Sequence, residues 1–150
     1  MSKPFQLCSI LLVVWCSIST LAADEPKIKV LIVEGVSNHD WARRVEIVRA
    51  ILAKDGSFDM DYSITPGTAG DPAWDTWRPD FSAYDVVLSG YNNLGGLPDW
   101  PQPVKVALES FVQGGGGFFA YHEANNSFES WPGYNQIIGP ATQANAAGQH

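Results

Sequence analysis

The sequence predicts an α/β domain with a mainly parallel sheet, and three observations carry that prediction. The run "IKVLIV", Ile28 to Val33, is apolar and mostly β-branched, as expected of a strand buried on both faces. Comparable apolar runs return at Val86-Val87-Leu88 and at Phe118-Phe119-Ala120-Tyr121. Between the runs lie segments with apolar residues at helical spacing, and strands alternating with helices build a parallel sheet.

The elements follow in order. Residues 1–22 read as a secretory signal peptide: Lys3 gives a positive start, Ile10 to Trp15 an apolar centre, and Thr20-Leu21-Ala22-Ala23 a small-residue exit, with cleavage expected after Ala22 or Ala23. Cys8, Ser9, Cys16 and Ser17 break the apolar stretch, leaving it short of the ~18 to 20 residues that a spanning helix needs. Both cysteines lie in this segment, so the mature chain is expected to have no disulfide, thiolate ligand or cysteine nucleophile. Without Lys3, eight of the nine basic residues face sixteen acidic ones, a balance that argues against nucleic acid or an anionic membrane as partner. No stable membrane contact is expected after cleavage.

After the linker Asp24-Glu25-Pro26-Lys27 comes the first strand. A polar loop, Gly35 to Asp40, then leads into a helix over Trp41 to Lys54, with Trp41, Val45, Val48 and Leu52 at helical spacing and Gly56 past its end. Phe58, Met60, Tyr62 and Ile64 alternate with polar residues, the period of a half-buried strand toward a sheet edge. Residues 66–83, rich in Pro and Gly and holding Trp74 and Trp77, read as loop. Tyr84 to Tyr91 forms the next strand, and a helix runs from Pro103 or Val104 to Gln113 with Val104, Ala107, Leu108, Phe111 and Val112 on one face. Gly114 to Gly117 close that helix and lead into the strand Phe118 to Tyr121. They follow a helix and open a strand, the reverse of a phosphate loop, and no Gly-Lys-Ser/Thr is present. A last helix is expected between Ser127 and Ile138, with Trp131, Tyr134, Ile137 and Ile138 as its apolar side.

In parallel sheets ligands sit at the carboxyl ends of the strands. There the sequence places Gly35 to Asp40, Tyr91 to Asn93 and His122 to Asn126. Strand, His122-Glu123-Ala124 and then a helical segment is the layout of a nucleophile elbow, a sharp turn exposing one side chain. Histidine there is suited to general acid, general base or metal-ligand work. His39 and Asp40 follow the first strand, so His39, Asp40, His122 and Glu123 form a candidate polar cluster, either an acid/base pair or a metal site. Their spacing matches no zinc motif of the His-Glu-x-x-His kind. The asparagines Asn92, Asn93 and Asn125 suit hydroxyl recognition, though asparagine is also an ordinary turn residue. Trp74, Trp77, Trp100 and Trp131 serve either as core or as stacking platforms for sugar rings.

Four stretches, "KVLIVEGVSNHDW", "YDVVLSGYNN", "LESFVQGGGGFFAYHEANNSF" and "WPGYNQIIG", together resemble the trehalose-utilisation (ThuA-like) family over about Lys27 to Gly139. The most specific piece is the glycine run, apolar run and His order followed by Trp131, Tyr134, Ile138 and Gly139. The resemblance implies a flavodoxin-like, class I glutamine amidotransferase-like three-layer sandwich in which His122 stands where the amidotransferases carry their cysteine. It also implies a link to carbohydrate catabolism, with a small saccharide as the partner. His39 and His122 match the family pattern, while Glu123 departs from it, a small or apolar residue being more usual there. Family domains run on past Ile138-Gly139, so residues 27–150 are expected to form a ThuA-like domain incomplete at its C-terminus.

The reading is therefore an exported, sugar-related domain with hydrolase or lyase-type chemistry on glycosides. His122 and Glu123 are the candidate catalytic residues, and His39, Asp40, Asn92, Asn93 and Asn125 the candidate substrate-binding ones. The rival is a non-catalytic saccharide-binding module on the same scaffold. A working glutamine amidotransferase is excluded for want of a mature cysteine. The residues name no cofactor.

Overall fold

A computed structural model describes residues 25–139 of the chain apart from positions 36, 38, 55 and 95. The expected signal peptide and cleavage point, and the tail after residue 139, lie outside the described residues. Among those residues no helix is long and apolar enough to cross a membrane.

Four strands, β1 (Ile28–Glu34), β2 (Phe58–Ile64), β3 (Val86–Ser89) and β4 (Gly117–Ala120), form one sheet in the order β2-β1-β3-β4, with every pair parallel. This is the order of the flavodoxin-like doubly wound fold, whose crevice opens where neighbouring strands turn opposite ways, between β1 and β3. The expected fold class is the one observed. β1 is central, and Val30 through Val33 are almost wholly buried, which is why nearly every residue of that run is apolar.

Among the described residues two α-helices connect strands and a third follows the last strand. α1 (Trp41–Leu52) starts at Asp40, whose carboxylate accepts the Arg43 amide at 3.1 Å, and ends two residues short of the expected Lys54. α2 (Gln102–Gln113) follows β3, and α3 (Pro132–Ile138) follows β4. Pro103 sits in the first turn of α2, where a missing amide proton costs nothing. Segment 66–83, read as loop, contains two 3₁₀ turns, Pro72–Asp75 and Phe81–Ala83. Each is capped by an aspartate, Asp71 and Asp80, and each plants one aromatic, Trp74 or Phe81, in the core.

The core lies between α2, α3 and the sheet face that carries Leu31, Val33 and Val87. Trp100 stands at its centre, with ring centroids 5.2 Å from Phe128, 5.3 Å from Trp77 and 6.0 Å from Tyr91. Trp74, Trp100 and Trp131 are buried, which places them in the core and not on a sugar-stacking surface. Trp77 is partly buried and donates its indole proton to Ser63 at 3.0 Å. In the second half of β2 the burial departs from the expected pattern, although the register with β1 is unbroken. Ser63 is covered by the tryptophan, while Tyr62 and Ile64, on the other face, are exposed.

Three of the four glycines have distinct roles. Gly114 caps α2 in an ordinary helical conformation, and Gly115 takes the left-handed one with φ of 97°. At Gly116 a Cβ would lie 2.3 Å from the Phe111 ring, so a close approach, and not a slack turn, demands that glycine.

Candidate functional site

The carboxyl ends of β1, β3 and β4 meet over a buried charge network. Glu34, last residue of β1, is wholly buried. Arg44, on the inner side of α1, grips both of its oxygens, Nε to Oε1 and Nη2 to Oε2, each at 2.7 Å. The same guanidinium donates to the Gly90 carbonyl at 2.9 Å and, through Nη1, to Glu123 Oε1 at 2.5 Å. Tyr121 donates its hydroxyl to Glu34 Oε1 at 2.5 Å. Gly90 leaves the space for this, since a Cβ there would stand 2.2 Å from Glu34 Oε1.

The electrostatics favour the paired state. Hydrogen bonding to Glu34 raises the Arg44 pKa and outweighs the desolvation that lowers it, so the cation is held in place. Burial first, and then the Glu34 hydrogen bond, push the Tyr121 phenol well above its ordinary value, which keeps it a neutral donor. Sequence reasoning missed Glu34, Arg44 and Tyr121. The available signals were a charge closing the apolar run "VLIVE" and an arginine next to Val45, three residues after Trp41 and four before Val48, on the apolar side of α1.

On this platform sits the elbow. His122 opens a 3₁₀ turn, His122–Asn126, with φ of 54°, the left-handed region that a non-glycine residue enters only when its surroundings impose it. Two clamps impose it. The Asn92 amide nitrogen donates to the Glu123 carbonyl at 2.7 Å, and the Tyr134 hydroxyl donates to the Ala124 carbonyl at 2.8 Å. Tyr134 thereby links α3 to the turn that presents His122.

The His122 side chain is about half exposed. Its Nδ1 accepts the Glu123 amide proton at 2.8 Å and also abuts Glu123 Oε2. His39 comes from the loop before α1, where its own amide donates to Ser37 Oγ at 3.1 Å. Its ring meets the edge of the His122 ring at a centroid distance of 4.8 Å and an interplanar angle of 67°. Ligand atoms of His39, His122 and Glu123 all lie within 4.8 Å of one another.

The other candidates are placed differently. Asp40 is exposed and caps α1. Asn92 is buried, and its amide oxygen accepts the Leu94 amide at 2.8 Å while its nitrogen holds Glu123. Asn93 accepts the Phe128 amide at 2.7 Å and donates to Asp99 at 2.5 Å, fixing the second left-handed residue, Phe128, with φ of 56°. Asn125 is exposed on the turn itself. The structure thus joins His39, His122 and Glu123, and engages Asp40, Asn92 and Asn93 in holding the loops that carry them.

A solved structure resembles this chain in both sequence and fold. It is that of a protein described as ThuA-like. That protein, from Parabacteroides merdae ATCC 43184, is 35% identical and superposes with a TM-score of 0.67 over 74% of this chain. The present chain spans 38% of the relative's length. No protein-family model and no curated protein matches the chain.

Proposed function

We propose that the chain is a ThuA-like domain of the class I glutamine amidotransferase-like superfamily, exported, and engaged in the utilisation of trehalose or related glycosides by hydrolase or lyase-type chemistry. The observation that carries the reading is His122. It is held left-handed at the end of β4, in contact with a carboxylate and half open to solvent, at the end of the sheet where doubly wound folds bind ligands. The likeness to the ThuA-like relative points the chemistry toward sugars.

In this reading His122 exchanges a proton with a glycosidic or ring oxygen, its Nδ1 passing from the Glu123 amide to the neighbouring Glu123 carboxylate, which pairs with the imidazole once it is protonated. Glu123 is held in turn by Arg44. The geometry gives less support to the saccharide-binding module, since Trp74, Trp100 and Trp131 face the core. The test is to incubate the full chain with trehalose, related disaccharides and their oxidised forms, following sugar release by chromatography. Turnover that His122→Ala abolishes is expected. Sugar binding with no turnover would transfer the case to the module, and neither binding nor turnover would end the carbohydrate reading. Export is tested separately by mass spectrometry of secreted protein, with the N-terminus expected at Ala23 or Asp24.

A further inference from the structure

The geometry points to a divalent first-row transition-metal site formed by His39, His122 and Glu123. It deepens the proposed reading of this site, but it rests on observations of its own. Glu123 is 9% exposed, and its Oε2 is buried without a hydrogen-bond partner among the described residues. That oxygen is aimed at His122 Nδ1, which already accepts the Glu123 amide proton. A cation ligated by that oxygen would satisfy a buried lone pair that no hydrogen bond among the described residues satisfies.

Charge balance favours a cation. Within the buried network the single charge of Arg44 faces two carboxylates, Glu34 and Glu123. Arg44 engages only Oε1 of Glu123, which leaves Oε2 as the lone-pair donor turned toward the imidazoles. A carboxylate fixed through one oxygen and ligating through the other has its outer partner already in place.

A proton on His122 could satisfy the Oε2 contact, but it would give no role to His39. The second imidazole brings the donor set to two nitrogens and one oxygen, the composition of catalytic zinc and non-haem iron sites that keep a position open. Ligand atoms bound at ordinary lengths around a tetrahedral ion lie about 3.4 Å apart. Donors within 4.8 Å of one another reach that spacing by modest turns of His39 and His122, whose side chains are exposed. Solvent access at the histidines leaves the open position to water or to a sugar oxygen.

The experiment uses the full chain, stripped with a chelator and free of saccharide. Zinc is titrated against a chromophoric competitor, and cobalt(II) is added in parallel to read its visible ligand-field bands. About one zinc per chain is expected, with at least about a 100-fold weakening in His39→Ala and in His122→Ala. His150→Ala, a control for the remaining histidine, should bind as the unaltered chain does. Circular dichroism confirms that the variants are folded. Because Glu123→Gln could disturb the Arg44 network, the exposed His39 variant and its loss of cobalt bands decide the matter. Absence of zinc competition, or binding that survives loss of both His39 and His122, overturns the site. Sugar turnover by metal-free protein would overturn a catalytic role for the ion while leaving the acid/base reading in place; zinc binding without turnover would do the reverse.

Discussion

His122 combines an exposed functional ring with an unfavourable backbone. A left-handed residue with a Cβ costs roughly 1–2 kcal/mol, and glycine escapes most of that cost. His122→Gly is therefore expected to be more stable than His122→Ala by about 1 kcal/mol in denaturant melts, while both lack metal uptake and turnover. Equal stabilities would show that the turn relaxes when the ring is gone. Arg44 should behave oppositely, because it neutralises the buried Glu34. Its removal strands that carboxylate. Arg44→Ala is expected to lose about 3–5 kcal/mol, read by urea unfolding, and a loss below about 1 kcal/mol would mean that water reaches Glu34.

The glycine run between α2 and β4 sets how α2 leads into the strand that delivers His122. Gly116 lies against the Phe111 ring, where a Cβ has no room, whereas at Gly114 it would meet the Ser110 carbonyl at 3.2 Å. Gly116→Ala is expected to destabilise by about 1–3 kcal/mol through overpacking. Gly114→Ala, with an ordinary helical φ, should cost clearly less. Thermal melts of the two variants side by side test this ranking, and the reverse order would show that Phe111 swings aside freely. α3 contributes through Tyr134, whose hydroxyl braces the turn after His122.

Across the whole molecule, the buried Tyr91 and Tyr134 and the partly buried Tyr121 tie stability to pH. Burial raises the pKa values of Tyr91, Tyr121 and Tyr134 well above the ordinary 10.0. Below pH 10 all three are protonated in both states and their contribution is fully present. Above it the unfolded chain loses protons that the folded chain keeps, so stability falls as pH rises, by up to about 1.4 kcal/mol per pH unit for each tyrosine. Melting temperatures should drop between about pH 9 and pH 11, with phenolate absorbance from these tyrosines appearing only on unfolding. Early phenolate absorbance in still-folded protein would show that water reaches these phenols.

The sequence by itself determined the alternation of strands and helices, because each element records its own burial in local periodicity. The run "VLIV" marks a strand covered on both sides, and Trp41, Val45, Val48 and Leu52 mark a helix with one inner face. It also determined that His39 and His122 lie at the ligand-binding end of the sheet, since a parallel topology sends every strand-end loop there. Tertiary structure decided which side chains meet. Arg44 reaches Glu123 across 79 positions, and Tyr121 reaches Glu34 across 87. No periodicity encodes such a contact; it exists only once β1, β3 and β4 lie side by side in register. The tryptophans and asparagines show the same division. Their types fit sugar recognition as well as packing or turns; the closing of α2 and α3 over the sheet turned Trp100 into core, and the pairing of β3 with β4 made Asn92 a clamp on Glu123.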